Sequence, residues 1–240
     1  MVRCAVIVFP GTWSDADCHH VLDQVFEVSV DYVWHKDADL SSYDVAVLPG
    51  GFSYGDYLRP GAIARFSPVM NGIEQMVRDG KTVIGICNGF QVLCEAGILP
   101  GVLLRNSHLQ YRCQWTNLRV ENDQTRFTES CDDGQLLRIP ISHGDGNYYA
   151  DPETLAKMED NGQIAFRYVD ELGAATTSSN PNGSLSNIAG VMNSKHNVLG
   201  MMPHPERCCE APLGSEDGKF IFGSMLNFMG QDALLSLIHI

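Results

Sequence analysis

Thr82-Val83-Ile84-Gly85-Ile86-Cys87-Asn88-Gly89-Phe90-Gln91-Val92-Leu93 joins two kinds of sequence across one turn. Its first half is a short β-branched run, the pattern of a buried strand. Residues 90–96 are of helix-forming types, and Gly97 closes them. Between the two lies Gly85-Ile86-Cys87-Asn88-Gly89, the cysteine form of the G-x-S-x-G nucleophile elbow. A nucleophile on top of a strand must turn at once into a helix, so small residues flank it where a Cβ would clash. The turn sets the Cys87 sulfur at a helix N-terminus, where the dipole and free N–H groups favour thiolate over thiol. A cysteine buried in a βα turn without any chemistry is the plainer reading of such a residue alone. What distinguishes the two is whether the chain also supplies partners.

Upstream, residues 4–9 are apolar throughout, as in a strand covered on both faces. Pro10-Gly11-Thr12 turns the chain, and Ser14 is placed to cap a helix over residues 15–26. His19 and His20 on that helix read as solvated side chains. Strands are expected at 28–34 and 45–48, the second ending at Pro49-Gly50-Gly51. Ser67-Pro68 opens a helix to about residue 78, with proline at its first position. Strands alternating with helices predict a parallel sheet with right-handed crossovers. Function then falls at the carboxyl ends of the strands, where Gly50-Gly51 and Cys87 both lie.

Beyond Leu99-Pro100-Gly101 the texture changes. Short strands are expected at 118–121, 137–142, 164–169, 188–192 and 198–202, with Asn193-Ser194-Lys195-His196 as a hairpin turn. A last helix covers 216–229. The fold class is therefore α/β: a mostly parallel central sheet flanked by helices, with a mixed or antiparallel C-terminal extension. Residues 1–232 read as one domain and 233–240 as a tail. The end of the tail, Leu234-Leu235-Ser236-Leu237-Ile238-His239-Ile240, reads as translated adapter sequence foreign to the natural chain, or as an apolar segment that docks on a partner.

Composition bounds the function. The 240 residues are 44% hydrophobic and 19% charged, ordinary for a globular chain. A net charge of −13 argues against nonspecific binding to nucleic acid or an anionic membrane. The eight cysteines include no C-x-x-C pair and no zinc spacing, so no metal site is expected. The apolar N-terminal run is too short for a signal peptide, and no stretch reaches membrane-spanning length. These features describe a reduced, cytoplasmic protein with free thiols.

A cysteine nucleophile needs a base, and the base an orienting group. His204 stands out in Met202-Pro203-His204-Pro205-Glu206-Arg207. Pro205 biases His204 away from the helical region, so an extended segment is expected. Residues two apart then share a face, which sets the Glu206 carboxylate beside the imidazole. A rigid surface turn with an incidental histidine is the alternative when the segment is taken alone. The oxyanion needs N–H donors: Asn88, next after the nucleophile, supplies one, and Gly51 is the natural source of the second.

Pro49-Gly50-Gly51, Gly85-Ile86-Cys87-Asn88-Gly89-Phe90-Gln91 and His204-Pro205-Glu206 together resemble the class I, or triad, glutamine amidotransferases. Longer blocks narrow the resemblance to the glutaminase subunits of phosphoribosylformylglycinamidine synthases. These blocks are Pro49 through Arg59 with Gly61-Ala62-Ile63-Ala64 after it, Leu104-Arg105-Asn106, His143-Gly144-Asp145-Gly146-Asn147-Tyr148-Tyr149, Asn182-Gly183-Ser184, and Asn197 through Arg207. The resemblance covers roughly residues 3–230. It implies Cys87 as nucleophile, His204 as base and then acid, Glu206 as orienter, and Gly51 and Asn88 as the oxyanion hole. It implies Gln91 and the backbone near Ser107 as contacts to the substrate glutamine. Pro60 and Asp145 depart from the family pattern, which often has a small residue or cysteine at the first and glutamate at the second.

The resemblance further implies that glutamine is hydrolysed to glutamate and ammonia for use elsewhere. Gly214-Ser215-Glu216-Asp217-Gly218-Lys219-Phe220 is one residue short of a phosphate-binding loop and has no Ser or Thr after its lysine. No cofactor is therefore expected in this chain. ATP and magnesium are expected on a separate synthetase subunit, with a small third subunit completing the complex. Two other readings stay open: a cysteine hydrolase or peptidase on a related elbow fold, and a non-catalytic scaffold subunit. Glutamate release from glutamine separates them.

Overall fold

Val45-Ala46-Val47-Leu48 and Thr82-Val83-Ile84-Gly85-Ile86 are buried at every position. Continuous burial of this kind requires cover on both faces, so these runs form the middle of a sheet. The structure, a computed structural model, describes residues 2–230. The tail expected over 233–240 falls outside the described residues. The strands in chain order are β1 Arg3–Val8, β2 Ser29–Trp34, β3 Val45–Leu48, β4 Thr82–Ile86, β5 Val102–Leu104, β6 Arg112–Val120, β7 Leu136–His143, β8 Asn147–Tyr149, β9 Ile164–Val169, β10 Ile188–Met192 and β11 Val198–Met201. The helices are α1 Asp15–His20, α2 Val69–Arg78, α3 Asn88–Glu95, α4 Pro152–Asp160 and α5 Gly218–Phe228.

The main sheet runs β2-β1-β3-β4-β11-β10-β9-β6-β7. From β2 to β11 neighbouring strands are parallel. From β11 to β7 they are antiparallel. Strands β5 and β8 form a separate antiparallel pair. The fold is thus α/β, parallel at the heart of the sheet with an antiparallel extension. The parallel half gathers the carboxyl ends of β1, β3, β4 and β11 along one edge. One apolar cluster runs from Val2 to Leu226 and includes Phe90 of α3, which stacks on Tyr148 at 5.9 Å between ring centroids. Among the described residues, no helix is long and apolar enough to cross a membrane.

Several expectations change. Residues 198–201 return to the parallel half beside β4, and the run is buried throughout, as a strand covered on both faces must be. Strand β6 begins at Arg112, because β7 pairs with it from there although its leading residues are largely exposed. Ser14 makes no side-chain cap; its hydroxyl accepts from the Arg207 guanidinium at 3.2 Å. Helix α1 passes into a π-helical turn at Val21–Val25. Helix α2 starts at Val69, and the Ser67 hydroxyl pairs with Tyr54 instead of capping it.

Candidate active site

Cys87 sits at φ 51°, ψ −105°, between the end of β4 and the start of α3. A side chain there costs on the order of 1–3 kcal/mol, so its surroundings must enforce it. The Cys87 N–H donates to Met201 O at 2.8 Å, and its carbonyl accepts from Gln91 N at 3.2 Å. A Cβ on Gly89 would run into the Leu48 carbonyl, so α3 rests directly on β3. This is the elbow that the sequence implied, built with no room for larger flanking residues.

His204 leaves β11 with its N–H on Pro140 O at 2.8 Å and ψ at 86°. Pro205 keeps it out of the helical region, as expected. The segment is not extended beyond it, however: Pro205–Arg207 is a 3-10 turn. Proline's fixed φ suits the first position of such a turn. The turn, rather than strand alternation, brings Glu206 Oε1 to 2.6 Å from His204 Nδ1. His204 is 1% exposed and Glu206 2%. Burial pushes the imidazole pKa down, but the Glu206 carboxylate and the Cys87 sulfur outweigh it and hold it above its ordinary value. His204 Nε2 has no hydrogen bond of regular geometry among the described residues, although Cys87 acts on it electrostatically. Such pairs commonly align only around substrate. Behind them, Arg207 lies 4.3 Å over the Trp13 ring and 3.4 Å from Asp17.

Cys87, His204, Gly51 and Gln91 line one cavity of about 460 Å³, counting its open mouth. Gly51 has φ 150°, and a Cβ on neighbouring Gly50 would stand 2.7 Å from His204 Cε1. Phe52 N donates to Gly11 O, and Trp13 N to Gly50 O. Gly51 and Thr12 are therefore the non-hydrogen-bonded pair of that bridge, and the Gly51 N–H is not engaged by Thr12. Asn88 opens α3, so its N–H has no intrahelical acceptor. Gln91 is held from both ends, accepting from Asn88 Nδ2 at 2.9 Å and donating to Asp145 O at 2.7 Å. Ser107 is not brought in; it is exposed, and its N–H bonds to Asn182 O at 2.9 Å.

The cavity also takes residues to which the sequence assigned no part in the chemistry: Trp13, Asp56, Tyr111, Ser142 and His143. Pro60 and Asp145, the two departures from the family pattern, line it too. Burial, followed by the Asp145 charge, pushes the Asp56 carboxyl up to about 6, against a hydrogen bond from Asn88 that lowers it. Burial holds His143 down at about 3, so it is neutral. Asn106 Oδ1 accepts from the Gly146 N–H and lies 3.2 Å from His143 Nδ1. Nδ1 must therefore carry the proton, and Nε2 is a bare acceptor without a partner among the described residues. The one sequence sign of this residue was its place in the block 143–149. Among the described residues, no group of three or more His, Cys, Asp or Glu side chains is placed to hold a metal ion.

Comparison with known proteins identifies the family of the chain. The profile of the CobB/CobQ-like glutamine amidotransferase domain matches residues 1–216. The phosphoribosylformylglycinamidine synthase subunit PurQ of Moorella thermoacetica is 56% identical over 95% of this chain and 96% of its own length. The subunit of the same name from Salinibacter ruber is 53% identical over 94% and 96%. A chain in the solved structure of PurLQS from Thermotoga maritima superposes with a TM-score of 0.85 at 42% identity, covering 95% of this chain and 99% of that one. With an elbow cysteine, a buried histidine–glutamate pair and near full-length similarity of this order, the chain belongs to the CobB/CobQ-like glutamine amidotransferases, in the group of the PurQ subunits.

Proposed function

We propose that this chain is the glutaminase subunit of a phosphoribosylformylglycinamidine synthase. It hydrolyses glutamine to glutamate and ammonia. An ATP-dependent synthetase subunit uses the ammonia to convert formylglycinamide ribonucleotide to formylglycinamidine ribonucleotide in purine biosynthesis. The observation that carries this reading is the strained Cys87 elbow sharing one cavity with the buried His204–Glu206 pair.

In the mechanism, the Cys87 thiolate attacks the side-chain amide carbon of glutamine. The tetrahedral oxyanion rests on the Gly51 and Asn88 N–H groups. His204, as imidazolium, protonates the nitrogen that leaves as ammonia, and Glu206 stabilises its charge and fixes its tautomer. Water then attacks the thioester, with His204 as base, releasing glutamate and the thiol. Gln91 we assign to the wall of the glutamine subsite. Ser107 lies outside the cavity lining and gains no support for such a contact. ATP and Mg²⁺ we assign to the synthetase, with a small third subunit in the complex and a cytoplasmic location. One apolar core from Val2 to Leu226 supports reading residues 1–232 as a single domain.

The test is glutamate release from glutamine, with and without the synthetase. Wild type is expected to release glutamate, weakly alone and faster in the complex. Cys87→Ala is expected to abolish release while its circular dichroism stays that of wild type. Release by the Cys87→Ala protein would remove the nucleophile assignment, and cleavage of a peptide ester without glutamine turnover would replace the reading with that of a hydrolase.

A further inference from the structure

The two proposed oxyanion donors belong to different elements, since Gly51 follows β3 and Asn88 opens α3. Donors of this kind work only when both stand at about 2.7–3.1 Å from one oxygen. Some contact must therefore hold one element against the other. The Asn88 side chain is placed to do so. It is buried, and its Oδ1 accepts the backbone N–H of Ser53, two residues past Gly51, at 3.1 Å. A backbone N–H is a donor only, so this bond fixes which way the carboxamide points. Nδ2 then donates to Gln91 Oε1 at 2.9 Å and to Asp56 Oδ1 at 3.3 Å. Gln91 passes the link to the Asp145 carbonyl. One carboxamide thus joins the segment after β3, the start of α3 and the loop after β7.

The segment it holds is not at rest. Tyr54, Asp56 and Leu58 have φ of 54°, 53° and 70° without being glycine. Each such residue costs on the order of 1 kcal/mol or more. Local preference does not keep the backbone in this shape, so contacts must. The Tyr54 hydroxyl, 2.9 Å from His35 Nδ1 and 3.0 Å from Ser67 Oγ, holds one side. Asn88 holds the side that faces the elbow.

We propose that the Asn88 carboxamide is a positioning group for the hydrolysis: it ties residues 51–56 to the elbow so that the Gly51 and Asn88 N–H groups converge on a single oxyanion. This role is separate from the N–H that Asn88 itself donates, and it rests on the glutaminase reading above.

The test compares Asn88→Ala with wild type in the complex with the synthetase. Three quantities are read: kcat and KM for glutamine, and the rate of Cys87 alkylation by iodoacetamide, followed on the Cys87 peptide by mass. Alkylation is displacement at a saturated carbon and forms no oxyanion. The expected result is a kcat lower by about 10- to 100-fold, with KM and the alkylation rate within about twofold. An unchanged kcat, or an alkylation rate that falls along with it, overturns the proposal. Should Asn88→Ala not fold, Asp56→Ala loosens the same tie from the loop side. It is expected to lower kcat by about threefold to tenfold with KM and alkylation unchanged, and wild-type kcat there overturns the proposal as well. Failure of the wild-type complex to release glutamate would count against the glutaminase reading instead.

Discussion

His204 sits where burial works against the charge it is proposed to carry, and the Glu206 carboxylate is what changes the balance. In the unfolded chain a histidine titrates near 6.5, and in the native protein His204 titrates higher. The native state therefore binds this proton more tightly. The pair's contribution to stability is complete below about pH 6.5 and fades as pH rises through the raised native value. Glu206→Gln removes the chief charge that raises it. Its kcat is expected to fall by about 10²- to 10⁴-fold. The alkaline limb of its kcat/KM profile is expected at lower pH than wild type, because His204 then loses its proton sooner. A limb that does not move would make Glu206 a structural residue. The elbow and the His204–Glu206 pair were legible in the sequence because near neighbours set their geometry. Trp13, Tyr111 and His143 were not, because they come from separate segments, the last of them the end of β7, and no spacing links them.

At the scale of elements, helix α3 shows where local preference and packing disagree. Alanine is preferred to glycine inside a helix by about 1 kcal/mol. Propensity alone therefore says that Gly89→Ala should stabilise. The Leu48 carbonyl, which the new methyl group would enter, says the reverse. We expect Gly89→Ala to lower stability by about 1–3 kcal/mol and to slow Cys87 alkylation, read from a urea midpoint and the iodoacetamide rate. A raised midpoint would mean that α3 does not rest on β3 as described. The unread elements have equally local reasons. Helix α4 buries only Met158, so it shows no apolar stripe; its one sign was Asp151 before Pro152, whose carboxylate caps Glu153 and Thr154 N–H groups. Strands β5 and β8 are three residues each and owe their form to pairing with one another.

Across the whole molecule, the strand alternation of the first hundred residues forecast the parallel half, and the short later strands forecast the antiparallel half. Sequence periodicity did not reveal that β11 crosses back to lie beside β4, because strand order is a long-range property. That crossing completes the site. Just outside it, Tyr57 is 74% exposed and Leu58 89%, on the same strained segment that Asn88 holds. Large apolar side chains so placed suit burial by a partner. We expect the double substitution Tyr57→Ala, Leu58→Ala to leave glutamate release by the chain alone within about twofold. Stimulation by the synthetase is expected to drop by about tenfold. Equal stimulation of both proteins would take this loop out of the interface.

The position of β11 has one more consequence, in the order of synthesis. The ribosome makes Cys87 more than a hundred residues before His204. Until β11 arrives, β4 has a neighbour on one flank only, and the Cys87 N–H has no Met201 carbonyl to meet. A nascent or prematurely ended chain therefore carries the thiol without its proposed base, His204. With His204 as the proposed base, glutamine hydrolysis waits for β11 to insert, so an incomplete chain is expected not to waste the amino acid.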